Sequence, residues 1–365
     1  MIDLINGGNS QGEVADYIKA KGSLQINKKR PYLGEDGIPL ITVLKKGGNP
    51  KEPTDYMAVP AINLGMAINT DYTLRPEEWM ELDQTLVDLQ QEEITGFDYV
   101  ASKVSKRLNN PMGTTEVKWH SISDSQEAIM TMDGVVRGEG DASHYKENII
   151  PIPIIHADYE INFRKLESSR RLGESIDVTE AAHAGRAVRK YKEDLLFGSG
   201  SAYTFGGGSI YGFLNFAHRN QVTLTKAWTD GTKTAAEILT DVKNLRAANY
   251  ADNFRGPQTL FIPSVWDDVL DNDYDVSGAS IMSIRQRILQ LANIAAIVSV
   301  PRLADDNAVL VQLTTNVVDI LTGLDMQNVQ WQTEGGMVSK FKVMEIAIPR
   351  LKADYDGKAG IAHLA

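Results

Sequence analysis

The apolar positions of this chain cluster in a few periodic segments, separated by stretches that have no period. In the first, Trp79, Leu82, Leu86 and Leu89 recur on one face of a helix. Pro76 stands in its first turn, Glu77 and Glu78 favour its N-terminus, and the pattern is expected to end by Gly96. A longer helix follows, because Asp177 and Glu180 have capping-box spacing and Gly198 fits the C′ position about twenty residues on. Its stripe is predicted at Ala184, Val188, Tyr191 and Leu195, with Arg189–Glu193 and Lys190–Asp194 as i, i+4 pairs on its polar surface. At ~1.5 Å per residue it spans roughly 30 Å. Ala181, Ala182, Ala184, Gly185 and Ala187 keep it slim. Thr234 and Glu237 repeat the capping box ahead of Ile238, Val242 and Leu245, predicting a helix to about Asn249. Thr259 to Pro263 reads as a buried strand and Ser264 as the cap of a short helix through Trp266 to Leu270. A helix over Ser280 to Leu291 and strands at Ala295 to Val300 and Ala308 to Leu313 complete an α/β layer. The tail reads as strands at Val317 to Leu321, Val329 to Thr333 and Val338 to Ile348, with Glu334-Gly335-Gly336 as a hairpin turn.

Two segments lack such a pattern. Up to about residue 70, glycines and prolines interleave, from Gly7 and Gly8 to Pro53 and Pro60, as in an extended arm without a core of its own. Its basic clusters, Lys28-Lys29-Arg30 and Lys45-Lys46, read as solvated charge. Between Glu116 and Ile150, short strand-like runs (Val117 to Trp119, Ala128 to Met132) surround Gly134, Gly138 and Gly140. From Asp124 to Glu147, six acids (Asp124, Glu127, Asp133, Glu139, Asp141, Glu147) face only Arg137 and Lys146, a net charge of −4. A long acidic two-stranded excursion of this kind buries little of itself and is ordered by a neighbour or stays mobile.

The 365 residues allow a substantial core, and 42% hydrophobic with 23% charged residues is an ordinary globular composition. No run approaches ~20 apolar residues, and the N-terminus lacks the features of a signal peptide. With no cysteine there is neither a disulfide nor a thiolate metal site. The net charge of −11 argues against a surface that grips nucleic acid, although an acidic protein can still enclose it.

Candidate chemistry is sparse. His120, His144, His156, His183, His218 and His363 show no paired helical spacing. Asp271, Asp273 and Asp275 start like a calcium loop, but Val276 and Met282 stand where a glycine and a bidentate glutamate belong. Gly8-Asn9-Ser10-Gln11-Gly12 has the letters of a nucleophile elbow with no strand to carry it. The glycines at 198, 200 and 206–208 close a helix instead of opening one, so they read as a flexible connection and not a phosphate cradle. No catalytic residue, cofactor or metal is expected.

The order of parts resembles the major capsid proteins of tailed bacteriophages, whose Hong Kong 97-like fold is shared with encapsulin nanocompartments. LRPEEWMELDQTLVDLQQEEITGFDYV (74–100) looks like the helix before the extended loop, and IIPIPIIHADYEINFRKLESS (149–169) like the strand leading to the spine helix. GRAVRKYKEDLLFGSG (185–200) resembles the end of that helix, GSIYGFLNF (208–216) the turn after it, and TLFIPSVWDDVL (259–270) the strand-helix unit of the axial domain. The resemblance implies an α+β fold divided into an N-terminal arm (1–73), an arm helix and connection (74–115), and an extended loop (116–150). A peripheral domain (151–233) with its spine helix (177–197), an axial domain (234–316) and C-terminal strands (317–365) follow. It further implies a non-enzymatic subunit that assembles with itself into the pentamers and hexamers of an icosahedral head around double-stranded DNA. That head would be a virion part assembled in the bacterial cytoplasm with portal and scaffolding proteins, away from any membrane. Assembly contacts are expected at Arg137, Glu139, Asp141 and Lys146 of the loop and at Arg186, Arg189 and Glu193 of the spine helix. No cross-link is assigned, because Lys146, the one lysine between Asp124 and Glu147, has no identifiable partner. The alternatives are an encapsulin-like compartment, whose subunits begin near the equivalent of Leu74, and, more distantly, a soluble α/β enzyme.

Overall fold

The computed structural model describes residues 31–34, 38–44, 56–60, 74, 76–92, 96–123, 130, 132, 144–172, 178–198, 202–274, 282–333 and 338–365. Both basic clusters, the elbow-like motif, Asp177, Asp275, the Glu334-Gly335-Gly336 turn and Arg137, Glu139 and Asp141 lie outside them, as does most of Ala128 to Met132. The chain forms two compact units, one from residues through 94 with 154–191 and 323–347, the other from 95–153, 192–322 and 348–365. Three elements run through both: the helix α4 (Thr179–Phe197) and the long strands β14 (Val318–Thr333) and β15 (Val338–Leu351).

In the first unit, β1 (Pro31–Leu33), β2 (Pro39–Leu44) and β3 (Tyr56–Pro60) form an antiparallel meander where the sequence predicts only an extended arm. Its proline-rich composition conceals strands whose prolines stand at their ends. The helix α1 (Pro76–Glu92) buries Trp79, Leu82 and Leu86 completely, as the periodicity predicts. Trp79 meets Phe341 edge-on at 6.0 Å, and Phe341 stacks on Tyr159 at 4.9 Å. The first half of β15 pairs antiparallel with β7 (Ile155–Asn162) from Val338↔Asn162 to Glu345↔Ile155. A helix absent from the sequence reading, α3 (Phe163–Leu172), begins where the Asn162 side chain accepts the Arg164 backbone N–H at 2.9 Å.

The spine helix departs from its predicted stripe. Ala181, Ala184 and Val188 are buried, but Tyr191 is 51% exposed, and the last turns bury Lys192, Glu193, Leu196 and Phe197 instead. Gly198 has φ +66° and takes the predicted C′ role, its N–H donating to the Asp194 carbonyl at 3.0 Å.

The second unit is built on the sheet β10 (Asn220–Val222), β16 (Ile361–Leu364), β13 (Ala308–Gln312), β11 (Gln258–Pro263), β12 (Ile294–Val300), in that spatial order. β11 lies between an antiparallel and a parallel neighbour, and all six of its residues are buried. The helix α5 (Ala235–Ala251) starts with the predicted capping box, Thr234 and Glu237 each bonding the other's backbone N–H. Its Ile238, Leu239, Val242 and Leu245 share a core with Leu260, Ile262, Leu310, Ala362 and Leu364. In the same core Trp228 stacks on Trp266 at 4.3 Å and donates to Asp241, which also pairs with buried Lys233 at 2.6 Å. Ser264 is no cap: it opens a single 3-10 turn (Ser264–Trp266) without a side-chain cap, continued by α6 (Asp267–Asp271). The next helix, α7 (Ile284–Leu289), is shorter than predicted, because Ser283 caps it by accepting the Gln286 N–H. Asp271 of the calcium-like triplet binds Arg285 at 2.8 Å, and that guanidinium also holds Asp267. Among the described residues no three acidic or histidine side chains converge as metal ligands.

The first helix ends at Glu92, ahead of Gly96 as expected; Gly96 begins α2 (Gly96–Lys103), which leads into β4 (Ser105–Arg107) parallel to β14, and its place explains the inward turn of Glu193. The Glu193 carboxylate accepts the backbone N–H groups of Gly96 at 2.9 Å and Phe97 at 3.2 Å, capping α2. A Cβ on residue 96 would lie 2.7 Å from the Phe197 ring and 2.8 Å from Val300, so only glycine fits. Glu193→Ala leaves two buried N–H donors unsatisfied; urea unfolding of the subunit is expected to show a loss of about 2–3 kcal/mol.

Candidate assembly site at the root of the ribbon

The strands β5 (Glu116–Ile122) and β6 (Tyr145–Pro151) form an antiparallel ribbon, in register from Glu116↔Pro151 to Ile122↔Tyr145. The backbone ladder continues past both ends, with Ile152 N–H donating to Thr115 and Ser123 N–H to His144. At ~3.4 Å per residue its seven pairs reach roughly 24 Å, and no third strand joins them among the described residues. One face carries Val117, Trp119, Ser121, Asn148 and Ile150, half-buried or buried near the root. The other carries Lys118, His120, Ile122, Tyr145 and Glu147, all exposed.

Ion pairing and ring contacts hold the open face together. Lys118 and Glu147 pair at 3.0 Å across the strands, which raises the lysine's pKa and lowers the glutamate's, chiefly through their hydrogen bond. His120 meets the Tyr145 ring edge-on at 6.4 Å. Farther out the surface becomes apolar: Ile122 is 54% exposed, Tyr145 66%, and Met130 and Met132 are wholly exposed. An isolated two-stranded ribbon is marginal in water, so this one needs an anchor at its base and a cover along its length.

The anchor is a buried charge cluster. Trp119 faces the Arg350 guanidinium, 5.2 Å from its ring centroid. Arg350 grips Asp319 with two parallel hydrogen bonds of 2.8 and 2.5 Å, and Lys352 adds a third to the same carboxylate at 2.8 Å. Burial pushes the Asp319 carboxyl up, but the hydrogen bonds from Arg350 and Lys352 and their charges outweigh it and hold the pKa below the ordinary value. Ser121 ties the ribbon down once more, donating to the Ala353 carbonyl at 3.4 Å, while it accepts from Asn148 of the paired strand at 2.8 Å.

The glycine segment read as a flexible connection is instead a tight hairpin, β8 (Tyr203–Phe205) and β9 (Gly208–Ile210), turned by Gly206 and Gly207 at φ +59° and +82°. It packs against the root: a Cβ on Gly208 would lie 2.7 Å from the Ile149 carbonyl oxygen, and one on Gly206 would strike the Glu116 carboxylate. Between hairpin and ribbon lies a cleft of about 310 Å³, lined by Trp119, Lys146, Asn148, Tyr211, Phe216 and His218 among others.

Of the residues predicted from sequence, Lys146 is exposed at the rim of this cleft. Arg186 is exposed and Arg189 half-buried on α4, both in the first unit. Glu193, 2% exposed, serves the fold as the cap of α2, and Asp194 binds Arg302 through two hydrogen bonds of 2.5 and 2.7 Å. Trp119, Asp319, Arg350 and Lys352 escaped the sequence reading. The available signal was weak: one tryptophan in the ribbon, and Arg350 and Lys352 just after the apolar run Ile346 to Ile348. Asp319→Ala strands the buried Arg350 and takes a partner from the half-buried Lys352; a loss of about 3–5 kcal/mol is expected in urea unfolding. Because its pKa is lowered, Asp319 stabilises the fold above the ordinary carboxylate range, and the difference between wild type and variant shrinks as pH falls through that lowered value.

The family DUF6260, described as a family of unknown function, matches residues 67–364, and this chain belongs to it. The type 1 encapsulin shell protein EncA of Myxococcus xanthus (strain DK1622) is 23% identical over 288 residues, covering 76% of this chain and 90% of EncA. Among solved structures, the virus-like particle from Pyrococcus furiosus matches with a TM-score of 0.56 at 19% identity, over 79% of this chain and all of that one. The capsid of Myoviridae phage XM1 matches with a TM-score of 0.57 at 12% identity, over 74% of this chain and 92% of that one. The mixed helix and sheet architecture is the Hong Kong 97-like fold of phage capsid and encapsulin subunits.

Proposed function

We propose that this chain is the structural subunit of a closed protein shell, the major capsid protein of a tailed phage, and that it catalyses no reaction. The observation that carries the reading is the ribbon: a projecting pair of strands fastened by a buried ion cluster, with exposed Ile122, Tyr145, Met130 and Met132 beyond the fastening. A second copy supplies the cover that one chain lacks. Burying a side chain of this kind contributes about 1.5–3 kcal/mol, and a shell repeats the contact at every subunit. The fold shared with phage capsids and with the Pyrococcus particle supports the same reading.

In this reading the subunits form hexamers and pentamers, and the head encloses double-stranded DNA without reading its sequence. The net charge of −11 suits a wall that contains DNA without gripping it. Portal and scaffolding proteins complete the head in the host cytoplasm. The described assembly candidates are Arg186, Arg189 and Glu193 on the spine helix and Lys146 at the cleft rim, of which Glu193 is buried as the cap of α2. A compartment for protein cargo is the second reading, supported by the likeness to EncA over 90% of that protein. Particles purified from the source organism separate the two: nuclease-protected DNA inside supports the capsid, and a protein content without DNA supports the compartment.

Joining Ser123 to His144 by an Asn-Gly turn removes residues 124–143 at a place where the two strands are already hydrogen-bonded. The variant is expected to unfold at the midpoint of the wild type yet form no closed shells, as read by sedimentation velocity and electron microscopy. Shells of normal yield and size from this variant count against the proposal.

A further inference from the structure

One buried histidine has no part in the assembly reading. His363 sits in β16, 6% exposed, paired with Gln221 of β10 on one side and Val309 of β13 on the other. The Arg219 Nε donates to its Nδ1 at 3.1 Å, and its Nε2 lies 2.7 Å from the Asn307 Oδ1. These contacts fix the ring: Nδ1 accepts, Nε2 carries the proton and donates to the amide oxygen, and the imidazole is neutral. Arg219 is itself held by the Phe216 carbonyl at 2.8 Å and cannot retreat easily.

We propose that Arg219, His363 and Asn307 form an acid-opened latch that fastens β10 and β16 to the loop ahead of β13. A proton on Nδ1 removes the acceptor that Arg219 uses and sets two cations about 3 Å apart in a buried site. The ring must then turn or leave, and the strand least able to resist is β10, three residues long and paired only with β16 among the described residues. Its other ties include the parallel pairing with β16, Asn220 to Asp252 at 2.7 Å and to the Ala359 carbonyl at 3.4 Å, and the end ladder between Val222, Leu224 and Ala365. Arg219 is the charged group that faces the imidazole from the lead into β10. From the β13 side it meets the neutral amide of Asn307, whose Nδ2 is bound to the Asp305 carbonyl. The helix α5 packs on the opposite face of β16, in the core that holds Ala362 and Leu364.

Burial first, and the Arg219 charge second, lower the His363 pKa from 6.5 to about 4. Well above pH 6.5 neither state of this group is protonated. Between there and about pH 4 the opened form takes a proton that the closed form refuses, so closure weakens as pH falls. The latch lies within one subunit and stands whether or not the chain builds a shell.

The test compares the full chain with His363→Gln, whose amide can accept from Arg219 and donate to Asn307 but cannot titrate. Between pH 6.5 and 4.5 the wild-type thermal midpoint is expected to fall by about 3 °C more than that of the variant. Over the same range, backbone deuterium uptake in 219–224 and 361–365, corrected for intrinsic rates, should rise in the wild type alone. Parallel falls in the two proteins overturn the proposal. Should His363→Gln fail to fold, deuterium exchange at the imidazole Cε1–H of the wild type decides it: a His363 titration near pH 4 to 5 supports the latch, and one near 6.5 refutes it.

Discussion

A projecting ribbon has to be held at one end by something stronger than itself, and here that is the ion cluster of Asp319, Arg350 and Lys352 beneath Trp119. The strands β5 and β6 bury little beyond their root, so their own contacts cannot fix their direction. Charges in such a place are costly to desolvate, and they persist because each finds a partner: one carboxylate takes three hydrogen bonds from two cations. The cluster ties the ribbon, through Trp119, to both β14 and β15. The hairpin β8–β9 adds its glycines against the root, where a side chain would force the strands apart.

The same economy appears in the helix that the sequence makes most visible. Its C-terminal end and slim first half were legible from Ala181, Ala184, Gly185, Val188 and Gly198. Its buried face was only partly so. A regular i, i+4 pattern put Tyr191 inside and Glu193 on the surface, whereas Tyr191 is exposed and Glu193 is buried. Periodicity assumes one partner along the whole helix. Here the last turns meet the N-terminus of α2, whose unsatisfied N–H groups need an acceptor more than the core needs another ring.

The elements read correctly were those whose signals are local. Thr234 with Glu237 announces α5, the apolar run Leu260–Pro263 of β11 announces a central strand, and Trp79, Leu82 and Leu86 announce α1. The elements missed depend on distant partners. Nothing local marks Gly96 as the start of a helix, because its requirement comes from Phe197 and Val300. The strands β1 to β3 hide among prolines, and α3 follows a strand with only Asn162 to mark the change. The candidate site was legible as a segment, through its acidic, glycine-broken composition, but not as an anchored structure. Its anchor joins residues 119, 319, 350 and 352, which no spacing rule connects.

The account makes the ribbon an element secured by its own chain and completed by another. That division predicts where exposed apolar surface lies in the single subunit and where it disappears. Electron cryomicroscopy of particles formed by the full chain tests it most directly. The account predicts closed shells in which Ile122, Tyr145, Met130 and Met132 are covered by a neighbouring subunit while the Asp319, Arg350 and Lys352 cluster keeps its geometry inside each chain. Monomers that do not assemble, or shells in which the ribbon projects uncovered into solvent, would contradict it.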